Sequence, residues 1–412
     1  MTDLSKLIDE IDVMISSVHQ KIERNAVENQ RRVLDSFRRH QVSESHFYPS
    51  TGYGYDDIGR DTLEKIYADV FGGEAAIVRP QIISGTHAIA SALFGVLRPG
   101  DELLYITGRP YDTLEEIVGV RGTGNGSLRE FGISYSVVDL LDNGEIDYDG
   151  VKSAINEKTR MIGIQRSRGY ADRPSFSIDE IQKMIEKTKQ MKPDILTFVD
   201  NCYGEFVDTR EPCHVGADLI AGSLIKNPGG GLAKTGGYIA GKQSYIDLCS
   251  YRVTSPGIGR EAGASLNTLF DMYQGFFLSP HVVSQALKGA VFTAAFLEGL
   301  GFQTSPKWNG DRTDLIQAVQ FDDPDKMISF CQAVQAASPV NAHAKPYPSP
   351  MPGYEDDVIM AAGTFIQGSS IEFSADGPLR PPYTAYVQGG LTYEHVKIAV
   401  IEAVRSILNS LC

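Results

Sequence analysis

Two charged residues stand where apolar runs give out. Asp200 closes "DILTFVD", and Lys226 closes "DLIAGSLIK", directly ahead of Pro228 and the glycines at 229–231. Burial at such a place lowers the pKa of a lysine and frees its amine as a nucleophile. The same lysine is also readable as a strand-end residue reaching solvent. Asp200 lies where open α/β sheets place ligands, although "DN" is ordinary turn chemistry too. Earlier, Ser84, Gly85 and Thr86 separate a predicted strand from a predicted helix. Small residues there leave backbone N–H groups free at a positive helix end, which makes a phosphate cradle, or simply a capped helix start. No GxGxxG is present, which favours a single phosphate over a dinucleotide. Lys234 is a second lysine in the glycine-rich segment.

The order of these parts says more than any one of them. A cradle at 84–86 is followed by Tyr111, then Asp200, then Lys226 a further 26 positions on. Pyridoxal phosphate needs these four parts: a lysine to form a Schiff base with its aldehyde, a carboxylate to keep the pyridine nitrogen protonated, an aromatic ring to stack, and a phosphate site.

Regular elements must position them. Leu4, Leu7, Ile8, Ile11, Met14, Ile15, Val18 and Ile22 recur at spacings of three and four, which predicts a long amphipathic helix over 3–40. It can pack on a partner subunit or on its own core. "ESHFYPSTGYGYDDIGR" at 44–60 reads as an irregular loop. From there short apolar strands alternate with helices, including "AAIVRPQIIS", "YSVVDL", "TRMIGIQ", "DILTFVD" and "DLIAGSL". That alternation predicts an α/β fold with a mostly parallel sheet covered on both faces. After about residue 250 a long helix, "HVVSQALKGAVFTAAFLEGLG", leads into a smaller α+β domain with strands near "TDLIQAVQF", "VIMAAGTF" and "SSIEFSA" and a closing helix. The expected division is a helical segment at 1–45, a large α/β domain at 46–275 and a small domain at 276–412.

Composition narrows the classes. With 38 basic and 52 acidic residues the net charge is −14, a poor balance for nucleic acid or an anionic membrane surface. The five cysteines, Cys202, Cys213, Cys249, Cys331 and Cys412, form no CxxC and no zinc spacing. A reducing compartment without disulfides is expected. The opening "MTDLSKLIDEID" is not a secretory signal, and no run of 18 apolar residues exists, so a cytoplasmic protein is expected. His214 and His343 lack ligand-spaced partners, and no metal is expected.

With these residues in view, the chain resembles the fold-type I pyridoxal-phosphate enzymes, in the branch of the cystathionine and methionine lyases. "SGT" at 84–86 matches that family's "SGM", "RPGD" at 98–101 its "KPGD" turn, Val199-Asp200-Asn201 its "VDN", and Ser223-x-x-Lys226 its Ser-x-x-Lys. "YDDIGRDT" at 55–62 resembles its "YSRxGNPT" loop with Tyr55 kept and the arginine displaced to Arg60. "VDNCYGEFV", "AGSLIKNPGGGLAKTGGYIAG" and "GSSIEFSADGPLRPPYTAYVQGGL" are similar to the methionine gamma-lyase and cystathionine beta-lyase-like group associated with aluminium resistance. Lys234 departs from that group, where proline is expected, and is read as a surface change.

The resemblance implies a carbon–sulfur lyase acting on a sulfur amino acid by β or γ elimination, in a homodimer or homotetramer. Lys226, Asp200 and Tyr111 would be catalytic. Ser84, Gly85, Thr86 and Ser223 would hold the phosphate, with Tyr55 and Arg60 reaching a neighbour's phosphate. Arg380 is the first candidate for the substrate carboxylate, since a guanidinium binds it bidentately, with Arg166 and Arg168 behind it and Tyr383 and Ser369 weaker. Cys202 reads as a packed small residue. An aminotransferase or aldolase on the same cofactor, or a cofactor-holding protein in stress or metal tolerance, are the alternatives.

Overall fold

The computed structural model describes residues 4–410, with side chains to 407; Cys412 lies outside the described residues. Helix α1 (Leu4–Arg39) buries Ile11, Ile15, Ile22 and Val33 and lies along helix α8 (Leu269–Gly299) of the same chain. Met14 points away from that seam and is 39% exposed, so the real stripe is narrower than the periodicity predicts. A loop leads to α2 (Ile58–Phe71), which starts where the Asp57 carboxylate accepts the Arg60 backbone N–H at 2.9 Å.

The large sheet contains β1 (Ala75–Arg79), β2 (Glu102–Tyr105), β3 (Ser134–Val137), β4 (Thr159–Gln165), β5 (Leu196–Asp200), β6 (Leu219–Ser223) and β7 (Gly237–Gly241). Their order is β1-β7-β6-β5-β4-β2-β3, and β3, β2, β4, β5 and β6 run parallel. Helices α3 (Gly85–Val96), α4 (Asp112–Val118), α5 (Tyr148–Ala154), α6 (Ile178–Met191) and α7 (Gln243–Val253) connect or flank them. The sheet separates two hydrophobic clusters, one around Ile162, Val199 and Ile220 and the other around Met161, Phe198 and Leu219. Adjacent residues of the inner strands β4, β5 and β6 thus point into different cores, which is why these strands are apolar at successive positions.

Strand β7 was not expected. It is antiparallel to both β6 and β1, so it needs no crossover helix, and its glycines at both ends read as loop. Helix α8 also starts well before the predicted "HVVSQAL", because Pro280 lies inside it and marks no boundary.

The second sheet is antiparallel throughout: β8 (Gln303–Ser305), β9 (Gln317–Gln320), β10 (Val358–Ala361), β11 (Ser374–Pro378) and β12 (Thr384–Gln388), in the order β10-β11-β12-β9-β8. Helices α9 (Pro324–Ala336) and α8 cover it, and α10 (Tyr393–Ser410) packs on those two helices. Strand β11 falls later than the predicted "SSIEFSA". The Glu372 carboxylate accepts the backbone N–H groups of Phe365 and Ile366 at 2.9 and 2.7 Å, tying the start of that stretch into a turn. Among the described residues no helix is long and apolar enough to cross a membrane, and Cys202, Cys213, Cys249 and Cys331 are free thiols.

Candidate active site

Parallel β4, β5 and β6 end on the same side of the sheet, and the chain leaving them opens a cavity of about 270 Å³. Asp200 is the last residue of β5 and lines it, 6% exposed, with Oδ1 accepting the Cys202 backbone N–H at 3.1 Å. Burial pushes its carboxyl up, against the pull of Lys226 and the Cys202 amide. Such a group is held ready for a cation.

Lys226 lies three residues beyond the end of β6, at the start of the tight turn Asn227–Gly229. It is half-buried and lines the same cavity, with Nζ 4.0 Å from the centre of the Tyr203 ring. The expectation that burial lowers its pKa is overturned. Burial does act that way, but the acidic groups of Cys202, Tyr203, Asp200 and Glu205 together outweigh it and hold the ammonium above the usual lysine range. The free side chain is therefore a cation. Lys226 and Asp200 act on each other through the cavity and form no direct ion pair among the described residues. Tyr203, beneath the ammonium, has φ +68°, a conformation costly for a non-glycine residue.

Ser84 caps α3, its Oγ accepting the His87 N–H at 3.0 Å. The capping reading of the sequence therefore holds, and it leaves room for the other: the first-turn N–H groups at Gly85 and Thr86 have no carbonyl partner within the helix. Gly85 lets α3 close on β6, since a Cβ there would lie 3.2 Å from both Cys202 Sγ and Ser223 Cβ. Ser223 ends β6 beside this cradle, 2% exposed.

Tyr111 precedes α4, with its ring centre 5.6 Å from that of Tyr170 and its hydroxyl 2.6 Å from the Tyr354 hydroxyl. Gly169 makes space for it: φ there is +58°, and a Cβ would come 2.8 Å from the Tyr111 ring. Burial, then Tyr354 and Asp376, raise the Tyr111 phenol well above its ordinary value. It is a neutral donor at physiological pH.

Other predicted residues lie elsewhere. Arg166 is fully buried behind the cavity, bonded to Asn201 Oδ1 at 2.8 Å and paired with Glu211 at 3.4 Å. It does not line the cavity, because its guanidinium is committed to balancing a buried carboxylate. Arg168 is held by Ser305 Oγ at 2.8 Å. Arg380 pairs with Asp356 at 2.9 Å and lines a neighbouring cleft that shares Tyr170 and Tyr386 with the cavity. Tyr55 is 58% exposed and stacks on Tyr53. Arg60 is buried, bonding the carbonyls of Gly54 and Gly263 and pairing with Asp61. Neither Tyr55 nor Arg60 lines this chain's own cavity. Lys234 is exposed, pairs with Asp271 at 2.7 Å and does not line the cavity. Cys202 does line the cavity, but burial pushes its thiol well up, so it is no nucleophile.

Sequence reasoning missed Tyr203, Tyr354 and above all Asp376, which also line the cavity. Asp376 sits in "ADGP", where Asp-Gly-Pro is turn chemistry, and only the pairing of β11 with β12 places it inside. Among the described residues no cluster of three or more His, Cys, Asp or Glu could hold a metal ion.

A lysine, a buried carboxylate awaiting a cation, a helix N-terminus with a serine beside it, and a tyrosine ring are thus gathered in one cavity. That donor set fits pyridoxal phosphate, and the fold is that of the enzymes that use it: the pyridoxal-5'-phosphate dependent protein YhfS from Escherichia coli superimposes with a TM-score of 0.62 at 19% identity, over 92% of this chain and 96% of that one. The sequence profile of the family described as Methionine gamma-lyase matches residues 4–408, and the chain belongs to that family of carbon–sulfur lyases. A Bacillus subtilis protein, YnbB, is 70% identical over 407 residues, 98% of this chain and 97% of the relative. The structure of a Listeria monocytogenes protein, described as a candidate cystathionine beta-lyase involved in aluminum resistance, has a TM-score of 0.96 at 64% identity, covering 98% of this chain and all (100%) of that one.

Proposed function

We propose that this lyase binds pyridoxal phosphate through Lys226, Asp200, Tyr111 and the 84–86 cradle, and eliminates a thiol from Cβ or Cγ of a sulfur amino acid. The observation that carries the reading is the meeting of Lys226 and Asp200, from the ends of adjacent strands, in a cavity closed by the N-terminus of α3. The bound cofactor would supply an electron sink. Asp200 would hold the proton on the ring nitrogen. Lys226, released to its free amine, would take the proton from Cα, and Tyr111 would hold or return a proton beside it. Ser223 and the amides of Gly85 and Thr86 would bind the phosphate. Arg380 stays the candidate for the substrate carboxylate.

An oligomeric protein is part of the proposal. Tyr53, Tyr55, Leu266 and Phe270 are exposed on two segments that touch through the bond from Gly263 N to Tyr53 O. An exposed apolar set of this kind favours burial against a second copy.

The test is spectroscopic and chemical. The purified protein should show the visible absorbance of a lysine-bound cofactor, lost in Lys226→Ala and kept in Lys234→Ala. L-cystathionine or L-methionine should yield thiol, ammonia and an oxo acid. A band that survives Lys226→Ala overturns the site. A new amino acid formed from added oxo acid, without thiol, would instead mark an aminotransferase.

A further inference from the structure

Asp376 is 1% exposed and lines the cavity. Its Oδ2 is fixed by Gln388 Nε2 at 3.1 Å and Ser369 Oγ at 3.3 Å. Its Oδ1 is buried, and among the described residues no donor completes a hydrogen bond to it. The Tyr170 hydroxyl is close enough to favour the charged form but does not complete that bond. A buried carboxylate oxygen left without a donor costs free energy, and a ligand that brings one recovers it.

The surroundings say what kind of donor. Tyr111, Tyr170, Tyr354 and Tyr386 line the cavity with Asp376, and the only basic residue among its described walls is Lys226. A carboxylate among tyrosine faces is the chemistry of a cation site, since ring faces attract an ammonium group. We infer that Asp376 selects sulfur amino acids whose departing thiol carries a primary ammonium group, with Oδ1 accepting from that ammonium between the tyrosine rings. The inference rests on the lyase reading above and names its substrate class. A methyl thioether brings no donor to Oδ1.

The test compares two substrates of equal length on the cofactor-loaded protein. S-(2-aminoethyl)-L-cysteine ends in an ammonium group where S-propyl-L-cysteine ends in a methyl. The aminoethyl compound is expected to have a kcat/KM at least about tenfold higher, because a site built for a hydrogen-bond donor rejects the analogue lacking it. In Asp376→Asn that ratio should fall toward one, the loss falling on the aminoethyl substrate. Binding is read without cleavage by calorimetry: L-lysine, with a methylene in place of sulfur, should bind more tightly than L-2-aminoheptanoate. Equal wild-type kcat/KM values, or an Asp376→Asn variant that slows both substrates alike, overturn the inference; a proton donor to the leaving sulfur would give that second pattern. The wild-type ratio and the lysine binding decide the matter if the variant does not fold. If neither thioether is cleaved while L-lysine keeps its advantage, the lyase reading fails and the ammonium site stands.

Discussion

The hydroxyls of Tyr111 and Tyr354 lie 2.6 Å apart, although the residues are 243 positions apart in the chain. One comes from the start of α4 and the other from the segment leading into β10, so the bond ties the large-sheet wall of the cavity to the half of the chain that carries the second sheet. Tyr354→Phe keeps the ring and removes the partner. We expect kcat to fall roughly 5- to 20-fold, within the range for a mis-set proton-transfer group, with little change in melting temperature. An unchanged kcat would show that Tyr111 needs no such partner.

Gly169→Ala should act on the same tyrosine from the opposite side. The left-handed backbone makes any side chain cost about 1–2 kcal/mol there. The added methyl must also displace the Tyr111 ring, which it would approach to 2.8 Å. Lower stability combined with a drop in kcat/KM is expected. A drop in stability alone would mean the ring adapts without cost to chemistry.

Arg166 and Glu211 are both fully buried and paired. Arg166→Met leaves the buried Glu211 carboxylate to Arg32, 3.6 Å away, a loss of about 3 kcal/mol, the low end for a broken buried pair. Chemical denaturation should detect it. A stable variant with a raised KM would return Arg166 to the substrate site.

Asp376 gives a pH signature. Burial raises its carboxyl to about 7, opposed by Ser369, Tyr170 and Lys226; Tyr111, Tyr203, Tyr354, Tyr386 and Cys331 are the other titratable groups that feel it. A carboxyl whose folded pKa lies above its unfolded value of about 4 stabilises the fold least when it must be charged. Its penalty is absent below pH 4, grows through pH 4–7 and is complete above 7. Without ligand, Asp376→Asn should therefore be more stable than the wild type at pH 8, by about 4 kcal/mol, and equally stable at pH 4. Thermal melts across that range check it. A gain that does not vary with pH would mean the carboxyl never ionises differently in the folded chain.

The sheet strands were legible because double burial leaves a plain mark, an unbroken apolar run, and the catalytic candidates were legible because Asp200 and Lys226 interrupt or end such runs. β7 was not, since its glycines serve close strand packing and look like loop. Asp376 was hidden for a related reason: its neighbours 375–378 spell a turn while tertiary pairing makes them a strand. Arg166 misled because guanidinium chemistry suits a carboxylate wherever one is found, and here that carboxylate is the buried Glu211.

Helix α1 finds its partners far along the chain. It lies against α8, which spans Leu269–Gly299, and Asp12 pairs with Lys397 at 2.7 Å. A ribosome therefore delivers the first helix long before the surface that covers Ile11, Ile15 and Ile22 exists. Until α8 emerges the nascent chain carries an uncovered apolar seam on this helix, the kind of surface that holds chains on chaperones.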